Sequence, residues 1–450
     1  MKKAMLFSTA ICFVLFAFSA SFAEPLKISD KVKIGGQLLT KAFSLKNYKG
    51  SEVTDNFALT RALINTDFII NSEVAISLKL GHTRVWGKSV DWYQGGGEPG
   101  AAEYLTGDGS FLENISIHNA NFKVSNIWKD VDFTVGRQFV GEKEDAFFYY
   151  GPQSGRLLAV TSIDAIKADW DIGKVKMMSL YGKKSEAGLG DGSGQDSTFM
   201  TTGLYVNDKD TDIYAMELRN SNWLESQNLK AFFYSRRRGL DSGEKDHLEL
   251  FGMRARGPIT PVAGLEYDVM FGLDFGKNNE TNQTYGGSLW RAIAFYNNSV
   301  SNLFGFKLTG GYVEVSGDNA STTDKDENFR RIGRDCFYSM AVIVYEILND
   351  AHPEAVTNVV IPFAGFEATP EALDGKLTLK TMWSDLSCDT PILGYTEKGQ
   401  EIDVNLMYNH SDSFHLGLTA ARFYPGDLLK FAFGSDNPIT QVSMEFKVTF

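Results

Sequence analysis

The last twelve residues of the chain, Ile439 to Phe450, carry the pattern that most restricts the fold. Five apolar residues alternate there with four polar ones, namely Val442, Met444, Phe446, Val448 and Phe450 with Ser443, Glu445, Lys447 and Thr449. This period of two places an apolar face opposite a polar face on one β-strand. At the open edge of a soluble sheet such a strand is an aggregation hazard. In an outer-membrane β-barrel it is the closing strand, with lipid on one side and the lumen on the other.

The amino-terminal segment predicts export. Met1-Lys2-Lys3 is basic, Ala4 to Ala20 is an apolar run, and Ser21-Phe22-Ala23 is a cleavage site for a signal peptidase before Glu24. We therefore predict a signal peptide over residues 1–23 and a single barrel domain over residues 24–450. An uncleaved membrane anchor is the alternative, and the short run with its cleavage signal argues against it.

The composition of the remaining chain agrees with an exported all-β protein. It has no further apolar run long enough for a spanning helix, while aromatic residues make up 13% of the sequence and glycines number 43. The formal net charge is −12, which argues against nucleic acid as a partner.

Segments of about ten residues with alternating polarity recur along the chain, joined alternately by short and long connections. This rhythm predicts a transmembrane antiparallel β-barrel of about 18 strands, with short periplasmic turns and long extracellular loops. The predicted strands are Val32–Leu45, Phe57–Ile70, Val74–Trp86, Ile115–Val124, Val131–Val140, Ala165–Asp171, Val175–Lys183, Asp212–Asn220, Leu229–Arg236, His247–Gly257, Leu265–Gly276, Ser288–Asn297, Phe304–Val315, Asn358–Ala368, Leu377–Ser384, Glu401–Asn409, Phe414–Phe423 and Ile439–Phe450. Cys336–Leu348 is apolar without alternation and is either a short helix within a loop or an additional strand. An even number of strands favours the loop.

Two cysteines remain after the signal peptide, Cys336 and Cys388. In an oxidising compartment an even pair predicts a disulfide, and two unrelated thiols are the alternative. The sequence has no Cys-x-x-Cys or His-x-x-x-His spacing of the kind that binds zinc, so we expect neither a metal site nor a cofactor. The run Asp191–Asp196 lacks the spacing of a calcium-binding loop, and we interpret it as a plain polar loop.

Several short stretches resemble the alginate-export family of outer-membrane porins. They are Thr60-Arg61-Ala62-Leu63 with Asp67, Arg84-Val85-Trp86-Gly87, Val135-Gly136-Arg137-Gln138, Ile166-Lys167-Ala168-Asp169-Trp170, Asp210-Thr211-Asp212-Ile213-Tyr214, Glu401-Ile402-Asp403-Val404 and Phe423-Tyr424-Pro425-Gly426-Asp427. The resemblance implies an 18-stranded monomeric barrel with a basic lumen that passes anionic, uronate-like polymers or related small solutes. Residues 335–355 depart from that pattern.

The charged side chains on the predicted strands should point into the lumen, because an Arg or Lys facing lipid at mid-membrane costs about 2–4 kcal/mol. The predicted basic lumen residues are Arg61, Lys79, Arg84, Arg137, Lys167, Arg219, Lys230, Arg236, Arg254, Arg256, Arg291 and Lys307. The acidic ones are Asp67, Asp132, Asp169, Glu217, Glu266, Asp268, Asp274 and Asp403. Arg84 and Arg137 share parity with outward residues, so each requires a bulge or a position at the rim. The basic set is either a ladder of cations that attracts anionic solutes or one half of a set of salt bridges that stiffens the wall.

These features predict a porin in the bacterial outer membrane for passive passage of hydrophilic solutes, with a bias toward anionic or carbohydrate-like ones. No nucleophile pairing, Gly-x-Ser-x-Gly elbow or P-loop occurs, so an enzyme is not predicted. A plugged structural or adhesin-type barrel and an outer-membrane hydrolase remain the alternatives. Expected partners are outer-membrane lipid and lipopolysaccharide (the latter facing Arg236-Arg237-Arg238), the barrel-assembly machinery and periplasmic chaperones. Phe446, Val448 and Phe450 form the predicted assembly signal.

Overall fold

Eighteen antiparallel strands form one closed barrel in the computed structural model. The structure describes residues 26–48, 54–86, 115–128, 130–152, 158, 160–185, 211–220, 226–239, 245–301, 303–332 and 357–450. In chain order the barrel strands are β1 (Val32–Lys46), β2 (Thr54–Ile69), β3 (Val74–Val85), β4 (Ser116–Ile127), β5 (Val131–Gln138), β6 (Ile163–Asp171), β7 (Val175–Ser185), β8 (Thr211–Asn220), β9 (Asn228–Gly239), β10 (Lys245–Pro258), β11 (Leu265–Asn278), β12 (Ser288–Val300), β13 (Phe304–Val315), β14 (Val359–Pro370), β15 (Leu377–Ile392), β16 (Tyr395–Ser411), β17 (Phe414–Pro425) and β18 (Ile439–Thr449).

The last strand closes the barrel against the first, as the alternation in Ile439 to Phe450 predicts. β18 pairs with β17 on one side and with β1 on the other, in a register from Gln37 opposite Thr449 to Lys46 opposite Thr440. The main chain of Phe450 continues this ladder, because its amide donates to the carbonyl of Gly36 and its carbonyl accepts from the Gly36 amide. The closed barrel of about 18 strands is therefore confirmed.

The connections follow the predicted rhythm. At the end of the barrel that carries both described chain ends, here called the terminal rim, the connections between neighbouring strands are short. One of them is residues 70–73, where Asn71 Oδ1 accepts hydrogen bonds from the amides of Glu73 and Val74. At the opposite end, here called the loop rim, most connections are longer. Cys336–Leu348 and residues 1–23 lie outside the described residues.

Side chains alternate along the strands between the outer surface and the lumen. On β11, Val269, Leu273 and Phe275 are exposed on the outer surface, whereas Asp268 and Asp274 are buried inside. Successive Cβ atoms of a strand point to opposite faces, so the same period of two determines which side chains lie on the outer surface and which lie inside the barrel. The buried hydrophobic cluster lies within the barrel rather than between packed layers.

Short additional strands and a short helix lie at the two rims. Leu26–Ser29 pairs with the start of β1, and Gln283–Tyr285 pairs with the end of β11 and, in parallel, with Lys325–Asp326. A short helix, α1 (Asp427–Phe433), follows β17. Among the described residues, no helix combines the length and apolarity needed to cross a membrane.

Candidate functional site

The connection between β5 and β6 folds into the lumen. Its residues 140–152, here called the lumen segment, form a small hairpin in which Val140–Gly141 pairs with Tyr149–Tyr150. Asp145, Ala146, Phe147 and Phe148 at its tip have no exposed surface. Asp145 Oδ1 accepts a hydrogen bond from the Phe147 amide at 2.9 Å, which fixes the turn. Four consecutive aromatic residues favour burial, and this loop buries them by entering the barrel.

Aromatic side chains on the barrel wall hold the lumen segment. The ring of Phe147 lies 4.7 Å from that of Phe232 on β9, and the ring of Phe148 lies 4.7 Å from that of Tyr234 on the same strand. Phe147 also covers Gly272 on β11, where a Cβ atom would overlap its ring. Ring contacts of this kind add to the burial of apolar area, so the segment has a defined position against β9–β11.

A row of inward-facing cations crosses the wall, and its members from Arg219 to Arg291 contact the lumen segment. We call it the basic row and define it as Lys176, Arg219, Lys230, Arg254 and Arg291. The first four are direct cross-strand neighbours on β7, β8, β9 and β10, and Met270 on β11 separates Arg254 from Arg291. Like charges placed directly opposite each other on a sheet destabilise it, so the row requires compensating acids.

Two carboxylates of the wall supply part of this compensation. Asp268 accepts hydrogen bonds from Arg254 through both of its oxygens, and its Oδ2 also accepts from Arg291 Nη2 at 3.0 Å. Glu217 Oε2 accepts from Arg219, with Nε at 3.0 Å and Nη2 at 2.5 Å. Hydrogen bonds between guanidinium and carboxylate groups are among the stronger ones in proteins.

The lumen segment supplies the remaining carboxylates. Glu142 uses both oxygens, one for Arg219 Nη1 at 2.5 Å and the other for Arg254 Nη1 at 3.1 Å. Asp145 pairs with Lys230, and both side chains are almost fully buried. The contact between segment and wall is therefore a network of ion pairs, in which Glu142 and Asp145 add to the carboxylates that the wall itself supplies.

A second connection, between β13 and β14, meets the lumen segment inside the barrel. Phe329 packs edge-on against Phe147 with ring centroids 5.8 Å apart. The amide of Ile332 donates to the carbonyl of Phe147 at 3.1 Å, and the hydroxyl of Tyr150 donates to the carbonyl of Ile332 at 3.0 Å. The Arg330 amide donates to Asp274 Oδ2 at 2.6 Å, which ties this second connection to β11.

The chain after the lumen segment reaches the opposite wall. Leu158 is buried in a small cluster with Leu39 and Phe43 of β1 and Leu59 of β2. Arg61 on β2 donates through Nη1 to the carbonyl of Leu158 at 3.2 Å and through Nη2 to Gln37 Oε1 at 3.2 Å. The β5–β6 connection thus contacts two opposed parts of the wall, which narrows the lumen between them.

Most of the predicted lumen residues lie on the inward register of their strands. These are Arg61, Lys167, Arg219, Arg236, Arg254, Arg256 and Arg291, with Asp67, Asp169, Glu217, Glu266, Asp268 and Asp274. Arg219, Arg254 and Arg291 are brought together with Glu217 and Asp268. The others are placed apart: Lys167 pairs with Asp169 at 2.7 Å, and Asp67 accepts from the Ser77 hydroxyl at 2.7 Å.

The lumen assignment of Arg84 and Arg137 requires correction. Arg84 is opposite Thr60 near the end of β3, on the register of the exposed Ile76. Arg137 is the last residue but one of β5 and pairs at 3.2 Å with Asp164, on the outer register of the exposed Ile166. Both lie at the loop rim, as their parity requires. A cation there reaches water or head groups without entering the lumen.

The run Arg236-Arg237-Arg238 divides between the two faces of β9. Arg236 and Arg238 point inward and pair with Asp246 at 3.0 and 3.4 Å. Arg237 points outward, with its guanidinium 5.4 Å from the centre of the Tyr214 ring. Only Arg237 of this run therefore places a charge on the outer face of the loop rim.

Two functional features were missed by sequence reasoning, the carboxylates Glu142 and Asp145 and the aromatic anchor Phe147. The available signal was the run Phe147-Phe148-Tyr149-Tyr150, which is unusually apolar for a connection between strands. Cys388 is buried on β15, but Cys336 lies outside the described residues, so their disulfide stays a prediction. The polar loop Asp191–Asp196 also lies outside them.

Comparisons with known proteins give a fold but no family. No protein-family model matches the chain, and no curated protein matches it. Among solved structures, a BenF-like porin from Pseudomonas fluorescens Pf-5 has a TM-score of 0.60 at 8% identity, covering 94% of this chain and 99% of its own. Acinetobacter baumannii OccAB2 has a TM-score of 0.60 at 13% identity, covering 93% and 98%. Pseudomonas aeruginosa OccK8 (OprE) has a TM-score of 0.57 at 12% identity, covering 95% and 99%.

These similarities extend over nearly the whole length of both chains, and at such low identity they show the fold alone. That fold is the 18-stranded barrel already described. The narrower resemblance to the alginate-export family stays a prediction.

Proposed function

We propose that the protein is a channel in the bacterial outer membrane that lets small hydrophilic solutes pass passively, with a bias toward anionic solutes and sugar acids such as uronates. The observation that carries this proposal is the closed barrel whose charged lumen is narrowed by the lumen segment. A wall of this kind separates a polar interior from an apolar exterior, and a narrow polar passage selects solutes by size and charge.

The outer surface supports the membrane location. On β16, Ile402, Val404 and Leu406 are exposed, while the alternate residues Glu401 and Asp403 are buried inside. The same division recurs around the barrel, so the exposed apolar area far exceeds what a soluble monomer leaves in contact with water. Lipid is the solvent that such a surface fits.

The basic row supports the bias toward anions. Four cations of the row, Arg219, Lys230, Arg254 and Arg291, contact the lumen segment where it narrows the passage, although the chain as a whole is acidic. The compensating acids reduce the net field, so we propose a moderate preference rather than exclusion of cations. Arg219 keeps a partly exposed side chain, which leaves a guanidinium within reach of a passing carboxylate.

A second candidate is a structural barrel whose lumen is plugged. Its support is specific: the β5–β6 connection contacts both the β9–β11 wall and the β1–β2 wall, and the β13–β14 connection packs against it. This candidate predicts a folded barrel that conducts no ions. The porin-like fold favours a channel rather than an enzyme.

The proposed partner at the loop rim is lipopolysaccharide. A row of outward residues there runs across β7–β11 in direct register, and its members are Lys183, Asp212, Arg237, His247 and Lys277. Tyr181 and Tyr214 lie one outward position closer to the terminal rim, with ring centroids 5.2 Å apart. Cationic side chains next to a band of aromatic residues match lipopolysaccharide, in which phosphate groups lie next to acyl chains.

Single-channel recording in planar bilayers tests the function. With a potassium chloride gradient across the bilayer, the reversal potential should show anion preference, and Arg254→Ala should reduce that preference. Arg137→Ala is the matched control, because it removes the same charge from the outer face of the rim and should leave the reversal potential in place. Absence of conductance in a correctly folded barrel would favour the plugged candidate, and cation preference would reject the anionic bias.

A further inference from the structure

Glu142 occupies the position between two guanidinium groups that an incoming carboxylate would take. Its two oxygens accept from Arg219 Nη1 and Arg254 Nη1, which come from different strands of the wall. Each oxygen takes one charge-assisted hydrogen bond from a guanidinium group, and arginine makes such bonds whether the carboxylate belongs to the protein or to a ligand. The side chain of Glu142 therefore has the form of a bound carboxylate solute.

Glu142 differs from the other acids of the network in where it is attached and how far it is buried. Glu217 and Asp268 stand on the wall strands beside their arginines, and their side chains are almost inaccessible. Asp145 has no exposed surface. Glu142 belongs to the lumen segment, and 27% of its side chain is exposed. It is thus the acid of this group that can move away without unpacking the wall.

Departure of Glu142 leaves neither arginine with an uncompensated buried charge. Arg219 retains Glu217, with contacts of 2.5 and 3.0 Å, and Arg254 retains both oxygens of Asp268. Glu142 and Arg219 are both partly exposed, and a pair of that kind contributes little to stability, while the buried Arg254 keeps its two contacts with Asp268. Exchange of Glu142 for another carboxylate is therefore close to balanced.

We propose that Glu142 is a tethered competitor for a carboxylate-binding site formed by Arg219 and Arg254, and that a solute with one carboxylate binds there by displacing it. The inference rests on the proposed function for its role in transport, since displacement would set the affinity of the passage for anions. The binding step itself requires only the folded barrel. The class of ligand is a small organic monocarboxylate, of which a sugar acid is one form.

Titration calorimetry of the purified, detergent-solubilised barrel with sodium glucuronate tests the binding step. Glu142→Gln should tighten binding about fivefold to tenfold, the gain expected if the unliganded site is free of Glu142 for roughly 10–20% of the time. Glu144→Gln is the matched control. It removes the same charge two residues away. The side chain of Glu144 is exposed, and its backbone carbonyl rather than its carboxylate accepts a hydrogen bond from Arg291. That variant should tighten binding less than twofold.

Three results would overturn the inference: equal tightening by Glu142→Gln and Glu144→Gln, which would indicate a general charge effect; weaker binding in Glu142→Gln; or no glucuronate binding in either protein. Arg219→Ala in the Glu142→Gln background should remove the gain, because it deletes one of the two guanidinium contacts that form the site. Bilayer recordings separate the two proposals. A barrel that binds glucuronate with this pattern but carries no current would contradict the channel and leave the site intact, whereas an anion-selective channel without the pattern would contradict the site alone.

Discussion

Arg254 on β10 donates two hydrogen bonds to the carboxylate of Asp268 on β11, Nε to Oδ1 at 2.9 Å and Nη2 to Oδ2 at 2.7 Å. Both side chains are nearly inaccessible. Asp268 is also the acceptor for Arg291, so one carboxylate holds two cations of the basic row. The pair therefore fixes the wall against which the lumen segment is positioned.

Asp268→Asn should destabilise the barrel strongly, because it removes the negative charge that pairs with two buried guanidinium groups, Arg254 and Arg291. Removing one partner of a buried pair typically costs about 3–5 kcal/mol. Urea unfolding in detergent micelles, followed by the mobility shift of the folded barrel on gels, measures the change. Asp132→Asn is the control, since its pair with Lys123 is solvent-accessible and should contribute less than about 1 kcal/mol. Similar losses in the two variants would contradict the structural role of Asp268.

Closure of the barrel makes a second prediction at Gly36. A Cβ atom there would lie 2.6 Å from the carbonyl oxygen of Leu63 on β2 and 2.6 Å from the ring of Phe450, so Gly36→Ala must shift the β2 main chain and move the Phe450 ring from its place beside β1. We expect a loss of about 1–3 kcal/mol from overpacking and a smaller yield of folded barrel. Gly305→Ala on β13, where nothing lies within 4 Å of the added Cβ, should leave folding unchanged. Equal yields from both variants would show that this contact does not control closure.

Strand positions and the side of each residue could be predicted from the sequence, because both follow from local chain geometry. The segment predicted as Leu265–Gly276 is β11, Leu265–Asn278. Its period of two fixes which residues meet lipid and which meet the lumen, whatever the partner strands are. The number of strands followed from closure, which requires the last strand to return beside the first.

The interior of the lumen could not be predicted in the same way. Glu142 and Arg219 are far apart in sequence, and no local period relates them. Their contact depends on a loop folding inward, which is decided by aromatic burial against β9 rather than by strand geometry. The rule that strand charges point inward also has a limit at the rim. Arg84 and Arg137 lie there on the outer register, where the cost of a charge facing lipid falls toward zero.

The apolar exterior predicts that an added charge has opposite effects on the two faces of one strand. Leu418 on β17 is exposed on the outer surface, whereas Gly417 faces the lumen with Glu445 as its nearest neighbour. Leu418→Arg should cost about 2–4 kcal/mol near the middle of the membrane, and Gly417→Arg much less. Reversible unfolding from lipid vesicles measures both. A larger cost for Gly417→Arg would mean that the assignment of inside and outside is reversed.

Phe147 predicts how firmly the lumen segment is held. Its ring is fully buried between Phe232 and Phe329, and its carbonyl accepts from the Ile332 amide, so it joins both inserted connections to the wall. Phe147→Ala removes a large buried side chain, a change that typically costs about 3–5 kcal/mol. We expect this loss to destabilise the packing of the lumen segment against the wall rather than the folded barrel as a whole. We expect faster hydrogen exchange at the amides of residues 140–152 and a larger, noisier single-channel conductance. Phe431→Ala removes an exposed ring of α1 and should alter neither measurement. Unchanged exchange in Phe147→Ala would show that the ion pairs of Glu142 and Asp145 hold the segment without the aromatic anchor.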